Sequence, residues 1–83
     1  MSTILIIDDR QQSRDLLRVV LEGSGYEVVE AEDGELGLAL ARSLMPDLII
    51  TDGVMPRLDG YGLVRELLSD SATARIPVVI STA

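Results

Sequence analysis

Residues 46–60 constrain this chain more than any other stretch. Behind Pro46, the run Leu48, Ile49, Ile50 and Thr51 has the pattern of a short strand buried on both faces. The segment that follows, from Gly53 through Met55, Pro56 and Arg57 to Gly60, is dense in glycine and proline and predicts a sharp loop. Asp52 stands where the strand becomes the loop. Asp8 and Asp9 follow Ile4, Leu5, Ile6 and Ile7 in the same way. A carboxylate at the tip of a buried strand needs partners, because an isolated ionised group loses several kcal/mol of hydration on burial unless it is paired or bound to a metal.

The rest of the chain alternates two periodicities. The β-branched run 3–7 gives a first strand, and Leu16, Leu17, Val20 and Leu21 at helical spacing mark the apolar stripe of a first helix. Gly23 and Gly25 bracket its stop. Residues 26–31 alternate polar and apolar side chains, Glu27 and Glu30 around Val28 and Val29, which predicts a half-buried strand at a sheet edge. Asp33 is placed to cap a second helix with Leu36, Leu40 and Leu44 on one face, ending before Pro46. Asp59 is placed to cap a third helix carrying Val64, Leu67 and Leu68. After a polar connection over 69–75, residues 76–80 form a fourth strand, with Pro77 near its start where a missing N–H does least harm.

Strand and helix alternate throughout, the signature of a mostly parallel sheet with helices on both faces. Crossovers are right-handed, and the first, third and fourth strands are the most uniformly apolar. A doubly wound α/β fold with strand order 2-1-3-4 follows. In such a sheet the chain changes direction between the first and third strands, and ligands sit beyond the carboxyl ends at that switch point. Asp8, Asp9, Asp52, Ser81 and Thr82 all lie at carboxyl ends.

Composition narrows the chemistry. The chain has 83 residues, room for one small domain, and 47% of them are apolar, enough for an aliphatic core with two tyrosines as its only aromatics. Seven basic against fourteen acidic residues give a net charge of −7, which argues against a nucleic-acid backbone or an anionic membrane as a direct partner and suits a divalent cation. Cysteine is absent, excluding disulfides and thiolate metal sites. With no membrane-length apolar run and no signal-peptide pattern, a cytoplasmic location is expected.

Three carboxylates in one crevice repel one another unless a hard cation intervenes, and Mg²⁺ is the usual companion of a few carboxylates, waters and phosphate oxygens. An aspartate can itself be the nucleophile that forms an acyl phosphate, and the Thr82 hydroxyl, beside small Ala83, can donate to a phosphoryl oxygen. Read without those partners, Asp8 and Asp9 are a helix N-cap and its solvated neighbour, Asp52 is a turn-former before Gly53, and Glu30, Glu32, Asp33 and Glu35 form a solvated rim.

The Asp8-Asp9 pair, Asp52 ending the third strand, Met55-Pro56, Asp59-Gly60 and Thr82-Ala83 together resemble the receiver domain of bacterial two-component response regulators, over the whole chain. The resemblance implies a flavodoxin-like fold, Asp52 as phosphoacceptor, and Mg²⁺ held by Asp9, Asp52 and the backbone carbonyl of Val54, with Asp8 acting through a metal-bound water. It implies Thr82 as switch hydroxyl and a sensor histidine kinase or phosphotransfer protein as partner, with an output domain the sequence does not name. It also implies a regulatory phosphoacceptor that phosphorylates and dephosphorylates itself rather than a turnover enzyme. Gly53 departs from the branched apolar residue usual there. Receivers also continue into a further helix, a fifth strand ending in lysine and a last helix, whereas this sequence has no lysine. Residues 1–83 are therefore expected to be the N-terminal part of such a domain, self-associating through the edge of the strand at 76–80. Two other readings stand beside this one: a structural or assembly module, and an Mg²⁺-dependent phosphohydrolase. The second is disfavoured because Val54 occupies the position where such enzymes carry an acidic aspartate.

Overall fold

The computed structural model describes residues 2–81. Seven elements alternate: β1 Thr3–Ile7, α1 Gln11–Gly23, β2 Glu27–Ala31, α2 Gly34–Leu44, β3 Leu48–Asp52, α3 Gly60–Ser69 and β4 Val78–Ser81. The strands form one parallel sheet in the order β2-β1-β3-β4, as the crossover argument requires. The β1–β3 register pairs Ile7 with Thr51, so Asp8, the first residue past β1, stands level with Asp52, the last residue of β3.

Alternation along the strands divides the core. Leu5, Ile7, Ala31 and Ile49 face α2 and α3 and pack with Ala41, Met55, Leu63 and Leu67. Ile4, Ile6 and Val28 face α1 and meet Leu17 and Leu21, with Leu48 and Ile50 beside them. Six large aliphatic side chains are essentially inaccessible, Leu5, Ile6, Ile7, Ile49, Leu63 and Leu67. Each contributes about 1.5–3 kcal/mol by leaving water.

Caps follow the sequence. Asp33 accepts the Leu36 N–H at 2.8 Å and Asp59 the Gly62 N–H at 2.8 Å, closing the first turns of α2 and α3. Gly25, at φ 92°, lets the chain reverse after α1 into β2.

Several local expectations are corrected. On α1, Leu16 and Val20 are exposed and only Leu17 and Leu21 reach the sheet, because the stripe is wider than the surface beneath it. On α2, Leu36 and Leu44 are exposed while Gly37 and Ala41 are buried. A β-carbon at Gly37 would collide with the Ile7 side chain, so the helix approaches the sheet through its small residues. On α3 the buried apolar side chains are Leu63 and Leu67, one turn apart, and Leu68 faces solvent. The fourth strand begins at Val78 rather than residue 76, since Ile76 closes the preceding turn with its N–H on the Thr73 carbonyl at 3.1 Å. Glu30 is not a solvated rim residue: it pairs with Arg14 and Arg18. Asp33, likewise, caps α2 and pairs with Arg57.

Candidate functional site

Asp8, Asp9 and Asp52 come together as the topology requires. One carboxylate oxygen from each lies within 4.8 Å of the others. Asp9 and Asp52 line a cleft of about 350 Å³ at the carboxyl ends of β1, β3 and β4, together with Arg10, Gly53, Val54, Tyr61 and Ser81.

Each carboxylate is held differently. Asp8 is buried, and its Oδ1 accepts the Arg10 N–H at 2.9 Å. Its main chain is tied on both sides: the N–H donates to the Ala31 carbonyl at 3.1 Å, and the carbonyl accepts from Arg14 Nη1 at 2.7 Å. Arg14 also donates through Nε to Glu30 at 3.1 Å, so one guanidinium joins α1, the tip of β1 and β2. Beside it, Glu30 and then Glu22 hold the Arg18 guanidinium charged, raising it above its ordinary value. Asp9 is exposed and faces the cleft.

Asp52 forms the turn weighed from the sequence and also faces the cleft. Its Oδ1 accepts the Val54 N–H at 3.3 Å, fixing the turn, while Oδ2 lies 3.6 Å from Arg10 Nη2. Below it, buried Thr51 donates its hydroxyl to the Asp52 carbonyl at 3.0 Å. The loop that follows is pinned by buried Met55 in the core and by the Gly60 N–H on the Gly53 carbonyl at 3.2 Å. Val54 is 82% exposed at the cleft wall. Oxygen donors of this hardness, converging in an open cleft with no nitrogen or sulfur among them, fit Mg²⁺.

Sequence reasoning passed over two residues. Arg10, not Asp8 or Asp9, is the N-cap of α1, and its side chain makes no capping bond. Arginine cannot accept from the free N–H groups of a first turn, and its charge is disfavoured by the positive end of the helix dipole; an Asp or Ser there would stabilise the helix by about 1 kcal/mol. The guanidinium is spent on the carboxylates instead. Tyr61, at the start of α3, lies against Gly53: its Cε2 is 3.2 Å from where a β-carbon on Gly53 would sit, as is Ile80 Cγ2. The ring occupies space that a branched side chain at position 53 would need. Ser81, paired in register with Asp52, closes the cleft on the β4 side. Thr82 lies outside the described residues.

No helix of the described residues is long and apolar enough to cross a membrane.

The response regulator receiver domain profile matches residues 4–83. RpaA of Synechocystis sp., a DNA-binding dual master transcriptional regulator, is 47% identical over 83 residues, all of this chain and 34% of that protein. PilH of Pseudomonas aeruginosa is 44% identical over 82 residues, 99% of this chain and 68% of that protein. Among solved structures, the chemotaxis protein CheY4 of Vibrio cholerae superposes with a TM-score of 0.90 at 32% identity, over 96% of this chain and 67% of that one. The N-terminal domain of a response regulator receiver protein from Methanoculleus marisnigri does so at 0.93 and 34%, over 96% of this chain and 65% of that one. This chain thus spans about a third of RpaA and about two thirds of each of the other three. With the strand order, three converging aspartates and a family match from Ile4 onward all in agreement, the chain belongs to the response regulator receiver domain family.

Proposed function

We propose that this chain is the phosphoacceptor part of a two-component switch, with Asp52 taking a phosphoryl group from a phosphohistidine on a sensor kinase or phosphotransfer protein. The observation that carries the reading is the convergence of Asp8, Asp9 and Asp52 at the switch point of the sheet. A carboxylate oxygen of Asp52 attacks phosphorus, the P–N bond to the donor imidazole breaks, and an acyl phosphate remains on Asp52. The Val54 N–H and the strand tip orient that carboxylate before attack. Asp9, Asp52 and the Val54 carbonyl would hold Mg²⁺ directly and Asp8 through a water, and the bound ion supplies countercharge to the phosphoryl oxygens. Thr82 is assigned the switch hydroxyl on the resemblance alone.

The module is regulatory, coupling phosphorylation to a conformational equilibrium that an output reads. It acts in the cytoplasm, with no nucleic acid or membrane bound by this acidic segment. All the metal-binding groups lie within residues 1–83, whereas the lysine expected beside the phosphoryl group does not occur here. A polypeptide of these residues alone therefore binds Mg²⁺ and holds a phosphoryl group less stably than a receiver with that lysine, and it self-associates through β4.

The test is labelling of the full-length protein by a small-molecule phosphodonor with Mg²⁺, followed by intact mass. One phosphoryl adduct is expected, lost in Asp52→Asn and on chelation. Equal labelling of Asp52→Asn overturns the assignment, and repeated turnover of the donor would favour a phosphohydrolase instead.

A further inference from the structure

The Arg10 guanidinium spans two of the three carboxylates, with Nε 3.5 Å from Asp8 Oδ1 and Nη2 3.6 Å from Asp52 Oδ2. We propose that Arg10 is the built-in counter-ion of the cation-free site, and that a divalent cation binds by exchange with it. Arg10 thereby sets the affinity and selectivity of the site for cations. The inference rests on reading the cleft as a phosphoacceptor site and adds to it a residue that controls when the site is loaded.

Three observations support the exchange. First, the helix gains nothing from this side chain: Arg10 is the N-cap of α1, accepts no capping bond, and is followed by no acidic residue in the first turn. A residue that breaks a local rule without local benefit is expected to serve a site. Second, the charge is specific to the cleft. Among the described residues Arg10 is the one basic side chain lining it, while Arg14 and Arg18 are engaged with Glu30, Arg42 with Asp70 and Arg57 with Asp33.

Third, the pairing is built to be released. The main chain of Arg10 is fixed, its N–H on Asp8 and its carbonyl accepting the Arg14 N–H at 3.2 Å. The side chain is 56% exposed and meets each carboxylate through a single long contact rather than the two-pronged bond of a structural arginine pair. Asp9, the most exposed of the three, is the carboxylate that Arg10 leaves unpaired. An incoming cation can engage Asp9 first. It then meets Asp52 with a guanidinium already in place, and like charges cannot share those oxygens. Arg10 must swing outward, losing two ion pairs, and the cation binds more weakly than the carboxylates alone would allow. Once free, the guanidinium stands at the cleft mouth, with the fork geometry that suits phosphoryl oxygens.

The experiment is Mg²⁺ titration by calorimetry and by amide chemical shifts, without phosphodonor, on the unmodified protein, Arg10→Gln, Arg10→Lys and Arg65→Gln. Arg65 is exposed and does not line the cleft, so its variant carries the same change in net charge away from the site. Arg10→Gln is expected to bind Mg²⁺ about tenfold more tightly, about 1.4 kcal/mol. Arg10→Lys should stay within about threefold of the unmodified protein and Arg65→Gln should not change. The difference should persist at physiological salt, where the screening length of about 8 Å exceeds these contacts. Equal or weaker binding by Arg10→Gln overturns the exchange while leaving the metal site standing. Failure of the unmodified protein and Arg10→Gln alike to bind Mg²⁺ at all overturns the cation site itself, a distinguishable result.

Discussion

Gly60 lies so close to Asp52 that a β-carbon on it would overlap the Asp52 main-chain carbonyl, with the Asp52 carbonyl carbon 3.1 Å and the Gly53 Cα 3.0 Å away. The first residue of α3 is thus pressed against the backbone that carries the candidate phosphoacceptor. Its N–H on the Gly53 carbonyl fastens the two together. The neighbours are main chain on both sides, so nothing flexible can yield. Gly60→Ala is expected to destabilise the protein by about 1–3 kcal/mol, the usual range for overpacking, and to weaken Mg²⁺ binding by displacing Asp52. Gly23→Ala, at the open end of α1 with nothing within 4 Å of the added carbon, should be neutral or stabilising. Urea denaturation of the two variants checks this, and equal stabilities would refute the wedge.

Asp9 and Asp8 separate by their partners. The three carboxylates share one region, yet Arg10 compensates Asp8 and Asp52 only. In the metal-free protein Asp9 is therefore the unpaired repulsive charge. A unit charge about 5 Å away in water costs about 1 kcal/mol. Asp9→Asn should raise metal-free stability by about that amount and abolish the gain in melting temperature on adding Mg²⁺. Asp8→Asn removes the same charge but loses charge-assisted bonds from the Arg10 N–H and guanidinium, so its metal-free stability should fall below that of Asp9→Asn. Thermal melts with and without Mg²⁺ measure both. A metal-free Asp9→Asn protein less stable than Asp8→Asn would contradict the account.

What the sequence revealed was what depends on type and period. Apolar runs ending in aspartate located Asp8, Asp9 and Asp52, and right-handed crossovers did the rest, because level parallel strands bring their tips together. Asp33 and Asp59 were legible as caps because short acidic side chains before a helical stripe have few other uses. The sheet-facing side of α2 was not. Hydrophobic periodicity weighs side chains by size, so Leu36 and Leu44 outvoted Gly37 and Ala41, whereas close approach to Ile7 demands small residues. Arg10 was missed for a related reason. Its meaning lies in two carboxylates, one of them on another strand, and no local pattern records that distance. The fit of Tyr61 over Gly53 is likewise a large-for-small exchange between an element and a loop, visible only once both are placed.

β4 carries the last expectation. It pairs with β3 alone among the described residues, through the register Ile49↔Val78 to Asp52↔Ser81, and presents its other side unpaired. Val78, Val79, Ile80 and Ser81 bring no charge to that edge, and Pro77 precedes the strand rather than interrupting it. Val79 is 51% exposed on the α1 side of the sheet, opposite Ile50, where a groove bordered by Leu16, Leu17 and Ile50 stays open. Edges that avoid strand pairing usually carry lysine, proline or a bulge, and these four residues have none of them. A polypeptide of these 83 residues should therefore self-associate by pairing or exchanging β4 between copies, with sedimenting mass rising across the micromolar range. Val79→Lys, which places a charge in solvent beside the edge, should return it to monomer with Mg²⁺ affinity unchanged, since Val79 does not line the aspartate cleft. A monomer at every concentration, with β4 amides as protected from exchange as those of β1, would show that the edge is already satisfied within one chain.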